Sequence, residues 1–168
     1  VWGGYDALNA LADGAMYDPS NDTWTPISLT NGPHSRLVHQ AAWTGTKMII
    51  WGGMNPSARS QYNTGALYDP SNDTWSSITT IDAPSGRSWG PSSAWVGDSF
   101  IVWGGFTDSG ATSTNTGGVY SPKTQTWQAT TLNSYTPIAR AYCKSVWTGS
   151  KFIVWGGSTT NTGGIYSP

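Results

Sequence analysis

The chain has 168 residues, a net charge of −1 and charged residues at only 10% of its length, with Asp as its sole acid. Eleven Trp and eight Tyr at near-zero net charge argue against disorder, and missing Glu beside plentiful Thr, Trp, Gly and Asn argues against a helical bundle. Eight scattered bases leave no footprint for nucleic acid, one cysteine leaves no disulfide framework or cysteine-based zinc site, and no apolar run exceeds strand length, so no membrane span is expected.

Read in chain order, residue 1 already lies inside a strand, and the same landmarks then return with a period near 52. Trp-Gly-Gly begins at Trp2, Trp51, Trp103 and Trp155. Tyr-Asp-Pro or Tyr-Ser-Pro begins at Tyr17, Tyr68, Tyr120 and Tyr166. Thr-Trp recurs at Trp24, Trp75 and Trp127, and a third Trp at Trp43, Trp95 and Trp147, each preceded by Arg36, Arg87 or Arg140. Ten of the eleven Trp residues therefore occupy three repeating positions, and only Trp89 falls outside them.

In the second copy the pattern predicts strand A over about Val38 to Trp43, strand B over Lys47 to Trp51, strand C over Gly65 to Tyr68 and strand D over Thr74 to Thr79. Four short antiparallel strands per period describe one propeller blade. The chain is thus expected to be all-β, with about three and a half four-stranded blades bounded near 1–32, 33–84, 85–137 and 138–168. It runs B-C-D, two complete copies, then A-B-C; we expect it to form part of a larger propeller of about six to eight blades, because its two ends would duplicate rather than complete one another.

Gly52-Gly53, Tyr68, Trp75 and Arg87, repeated in the flanking copies, resemble the kelch repeat family over essentially the whole chain. The resemblance implies a kelch-type β-propeller acting as a non-catalytic binding or assembly module, with a protein partner or the remaining blades of the same propeller as its contact. The style of the Trp-Gly-Gly copies is similar to that of bacterial secreted or surface proteins, so placement outside the cytoplasm is expected. Copper oxidases built on kelch propellers need a Tyr/His metal set and a Cys–Tyr cross-link. His34, His39, Cys143 and Tyr142 do not compose one, so neither metal nor cofactor is expected in this segment. One departure is that Arg87 lies eight residues before its Trp, where Arg36 and Arg140 lie seven before theirs, which predicts a bulge in the third copy.

Most repeating aromatics are read as packing between blades. The C–D turn acids Asp18, Asp22, Asp69 and Asp73 are read as turn residues rather than a calcium set. The A–B and C–D turns are uniform, whereas the B–C and D–A loops vary and share the opposite end of the blades, where binding usually resides. Tyr5, Tyr62, Phe106, Trp89 and Tyr135 collect there and are candidate contacts. Tyr142 and His39, at the start of inner strands, complete the candidate set. Arg36, Arg87 and Arg140 should ring the channel mouth on that face. They read either as a bidentate anion site or as residues that bond carbonyls of the neighbouring D–A loop. The alternatives to protein binding are carbohydrate stacking on the same aromatics, or an oxidase or hydrolase whose active site lies outside this segment.

Overall fold

Short apolar runs alternate with Gly-, Asn- and Asp-rich turns, and each run becomes a strand. A computed structural model describes residues 1–57, 60–107 and 112–168. The first sheet contains β1 (Trp2–Tyr5), β2 (Ala10–Asp18) and β3 (Thr23–Pro26), in that order. The second copy supplies β4 (Gln40–Trp43), β5 (Met48–Trp51), β6 (Met54–Asn55), β7 (Ser60–Gln61), β8 (Gly65–Asp69) and β9 (Thr74–Ser77). The third supplies β10 (Ser92–Val96), β11 (Ser99–Trp103), β12 (Phe106–Thr107), β13 (Thr112–Ser113), β14 (Gly117–Ser121) and β15 (Thr126–Ala129), and the last β16 (Lys144–Trp147), β17 (Phe152–Trp155) and β18 (Gly163–Tyr166).

The blades are antiparallel meanders: β4-β5-β8-β9, β10-β11-β14-β15 and β16-β17-β18 follow the first sheet, and the chain is all-β as expected. The hairpins β6–β7 and β12–β13, not expected from the sequence, stand on the B–C loops. Strand A of the second blade starts at Gln40 rather than Val38, because Val38 itself is left-handed with φ 51°. The inner strands β4, β10 and β16 stand side by side, tied by Ser93 Oγ donating to Gln40 Oε1 at 2.9 Å and Ser145 Oγ donating to Ser93 O at 3.4 Å. Among the described residues no helix is long and apolar enough to cross a membrane.

The C–D turn has a physical reason for its spelling. Asp69 Oδ1 accepts from the Ser71 amide and hydroxyl, and residue 73 adopts φ 54°. In the third copy Gln125 occupies the same left-handed position at φ 56°, so the turn needs that backbone and not an acid. Where Asp73 is present it does more: its Oδ1 accepts from Tyr68 OH at 2.6 Å and from the Ser28 amide of the preceding blade at 2.8 Å. Burial, then this hydrogen bond, push the Tyr68 phenol up to about 12.

Trp-Gly-Gly also has a steric cause. Gly53 takes φ +85°, and a Cβ there would lie 2.7 Å from Leu37 O and 2.9 Å from His39 Cα. Its amide instead donates to Arg87 O of the next blade at 2.9 Å. A side chain would break that approach as well as strain the backbone.

The core is not inside a blade but between blades. Trp2, Ile27, Ile50, Tyr68 and Trp75 fill the first interface, and Trp51, Ile78, Val102, Tyr120 and Trp127 the second. In each, the indole of strand D reaches back over the preceding blade. Trp75 Nε1 donates to Ser28 O at 2.8 Å, and Trp127 Nε1 to Thr79 O at 3.0 Å. Trp24 holds the same position in the first blade and is 57% exposed, against 6% for Trp75. Trp75→Ala should therefore cost about 3–5 kcal/mol, and Trp24→Ala no more than about 1 kcal/mol, measured by denaturant unfolding.

Candidate functional site

Loops that differ in sequence are held at one end of the blades by a contact that does not differ. Each inner strand is preceded by an Arg that is at most 1% exposed. Arg87 donates through Nε to Ser85 O at 3.1 Å, through Nη1 to Gly104 O at 3.1 Å and Thr116 O at 2.7 Å, and through Nη2 to Thr116 Oγ1 at 3.3 Å. Arg36 makes the same four bonds to His34 O, Gly52 O, Thr64 O and Thr64 Oγ1. Arg140 makes them to Ile138 O, Gly156 O, Thr162 O and Thr162 Oγ1. These guanidiniums do not open onto a channel mouth as an anion site would require. Apart from one carbonyl two residues upstream, their partners belong to the B–C loop of their own blade, not to the neighbouring D–A loop. Desolvation pushes Arg36 and Arg87 down to about 10, still cationic at neutral pH.

Two residues beyond each Arg the backbone turns left-handed without glycine: Val38 at φ 51°, Trp89 at φ 52° and Tyr142 at φ 56°. Trp89, out of pattern when counted from Trp95, is thus in register when counted from Arg87. The expected irregularity in the third blade is one added residue, Gly90 at φ +76°, between Trp89 and Pro91. A Cβ on Gly90 would lie 2.7 Å from Tyr142 Cα, so only glycine lets the two inner strands meet there. The equivalence of Val38 to these two rings escaped the sequence reading; counting forward from each Arg reveals it.

The remaining candidates separate. Phe106 is half-buried and meets Tyr142 edge to face at 5.7 Å, while the Phe106 and Ser88 backbones pair beside Trp89. Phe106 and Tyr142 thus form an aromatic cluster across two blades, and Trp89 follows the Ser88 that pairs with Phe106; Trp89 is 37% and Tyr142 55% exposed. Tyr62 covers Arg36, its ring centroid 4.5 Å from Cζ, and is held in place by that contact. Tyr5 is exposed on the first blade, and Tyr135, 89% exposed, lines a groove beside β18 instead.

The model for the KLHDC2/KLHL20/DRC7 Kelch-repeats domain matches residues 1–157. The chain belongs to the kelch-repeat family. Kelch-repeat domains are typically protein–protein interaction modules. An F-box/kelch-repeat protein of Arabidopsis thaliana is 27% identical over 97 residues, a stretch covering 54% of this chain and 24% of that protein. This kelch chain therefore spans about a quarter of the length of the curated relative it matches.

His39 sits inside the kelch domain rather than on its surface chemistry. It is half-buried against Trp2 of the preceding blade, with centroids 5.4 Å apart, and its Nδ1 has no hydrogen-bond partner among the described residues. Burial, then the nearby Arg36 charge, push it down to about 4, so the ring is neutral. Among the described residues no three His, Cys, Asp or Glu side chains gather as a metal set. The cluster offers apolar contact and stacking, not acid–base chemistry.

Two outcomes follow for the kelch domain. Arg87→Lys should destabilise it by on the order of 3 kcal/mol in denaturant unfolding, because an ammonium cannot span the same carbonyls. Between pH 6.5 and 4 the unfolded chain takes up a proton on His39 and the folded chain does not. Stability should therefore be full above pH 6.5 and fall by on the order of 2 kcal/mol toward pH 4. His39→Cys, which installs the residue found at the equivalent Cys143, should flatten that part of the profile.

Proposed function

We propose that the chain is a protein-binding module that engages its partner through the end where B–C and D–A loops meet, with Trp89, Phe106 and Tyr142 at the contact centre. The supporting observation is the repeated left-handed residue after the buried Arg. Val38, Trp89 and Tyr142 share one strained backbone, while the side chain on it changes from blade to blade. A β-branched or bulky residue at positive φ costs on the order of 1–3 kcal/mol and persists only where the surroundings impose it. Here it lifts large rings to the surface at the head of the inner strands. Exposed aromatics on a rigid support are the usual centres of binding energy. Placement outside the cytoplasm remains part of this proposal.

The variant Trp89→Asn with Tyr142→Asn tests the reading, since Asn accepts the left-handed backbone. Captures by the wild-type and double-variant chains are compared by quantitative mass spectrometry, with unfolding curves run alongside. The expected result is loss of the enriched partners with stability retained. Identical capture by the double variant overturns the proposed face, and binding on a glycan array that requires both rings points to carbohydrate stacking instead.

A further inference from the structure

A tight turn after β3 latches the first blade to the second, and it carries the chain's single Asn-Gly pair. Ser28 is the latch: its O accepts from Trp75 Nε1 at 2.8 Å, and its amide donates to Asp73 Oδ1 at 2.8 Å. The chain then folds back. The Thr30 amide donates to Ser28 Oγ at 3.2 Å, the Gly32 amide to Leu29 O at 3.2 Å, and Asn31 between them is left-handed at φ 59°. The next copy repeats the arrangement. Thr79 O accepts from Trp127 Nε1, the Ile81 amide donates to Thr79 Oγ1 at 3.2 Å, and the Ala83 amide donates to Thr80 O at 3.3 Å. Asp82 there takes φ 57°. Asn31 and Gly32 thus stand where Asp82 and Ala83 stand, and Gly32 has ordinary backbone that any residue adopts.

An Asn side chain can be attacked by the main-chain nitrogen of the residue that follows it, and a Cβ on that residue shields the nitrogen. Of the nine Asn residues, only Asn31 is followed by Gly. Asn55 precedes Pro56, which has no N–H, and Asn63, Asn115 and Asn161 precede β-branched Thr. Asn21 and Asn72 are held by other bonds, their Oδ1 atoms accepting from the Thr23 and Thr74 hydroxyls at 2.5 and 2.6 Å. Asn31 is exposed. The hydrogen bond that must open to free the Gly32 nitrogen, 3.2 Å to Leu29 O, is at the long end of the usual range.

We infer that Asn31 is a site of spontaneous covalent modification, deamidating to isoaspartate and thereby loosening the joint between the first two blades. The Gly32 nitrogen loses its proton to solvent base and bonds to Asn31 Cγ. The Cγ–Nδ2 bond breaks and the nitrogen leaves as ammonia, leaving a five-membered imide. Water then opens the imide on either side. Opening at Cγ gives aspartate, the residue that the second copy already carries at Asp82 in the same turn. Opening at the main-chain carbonyl gives isoaspartate, whose backbone runs through Cγ and is one methylene longer. That extra atom takes the Gly32 amide off Leu29 O. Gly32 lies against the latched ring, a Cβ there being 3.5 Å from Trp75 Nε1, so its displacement reaches the indole that Ser28 holds. The two products of one reaction therefore differ in effect: aspartate keeps the latch and isoaspartate opens it.

Peptide mapping by mass spectrometry, applied to the native 168-residue chain during incubation at mildly alkaline pH, tests the site. Asn31 should convert at least about tenfold faster than any other Asn, and Gly32→Ala, which supplies the Cβ that Ala83 already bears, should slow it by about as much. The isoaspartyl form is then separated by ion exchange and compared with the variant Asn31→Asp. The variant should keep the wild-type denaturant midpoint. The isoaspartyl form should unfold at lower denaturant and show faster amide exchange over residues 28–36. Conversion spread evenly over several Asn residues, an Asn31 that stays intact in the native chain, or undiminished conversion in Gly32→Ala would each overturn the inference. So would an isoaspartyl form with the midpoint and exchange of Asn31→Asp.

Discussion

A buried guanidinium at the head of each inner strand organises this molecule. Taking such a charge out of water is costly, and among the described residues no carboxylate answers it. Carbonyl oxygens do so instead, and they come from the B–C loop that the blade must hold in place. The main chain of the same residue works in the other direction. Arg36 O accepts from the Gly4 amide and Arg87 O from the Gly53 amide, each in the preceding blade. One residue per repeat therefore fastens its own loop through its side chain and the neighbouring blade through its backbone. Because the loop is gripped by its main chain, its side chains can vary without loosening it. That separation of support from surface lets the exposed loop side chains differ from blade to blade on so small a repeat.

Aromatic rings divide along the same line. A four-stranded blade has two faces and covers neither by itself, so each strand D indole must lie on the blade before it. Trp75 and Trp127 are buried by that contact, whereas Trp24, chemically the same residue in the same turn, is not. Burial of Trp75 and Trp127 thus comes from the neighbouring blade and not from the strand that carries them.

Much of this was legible in the sequence. Spacing of Trp-Gly-Gly, Tyr-Asp-Pro and Thr-Trp gave the strands to within about two residues, since turns and apolar runs are local signals. The candidate site was legible only in part. Trp89 fell outside the repeating tryptophans because the other copies carry Val38 and Tyr142 at its position, an equivalence that the added Gly90 concealed when counting from Trp95. Tyr62 looked like an available ring, yet it caps Arg36, a residue that reaches it only after the B–C loop folds back. The hairpins β6–β7 and β12–β13 are two residues per strand, too short for any periodicity to register.

By itself the sequence determined the repeat, the strand order and the reason for so many tryptophans, because each of these follows from spacing within some fifty residues. Only the tertiary structure decided that Arg36, Arg87 and Arg140 face inward, and which aromatics face in and which face out. Those outcomes depend on contacts between residues one repeat apart: Gly53 with Arg87 O, Trp75 with Ser28 O, Phe106 with Tyr142. Neither partner in such a pair carries a local mark of the other, so burial appears only when one blade is laid against the next.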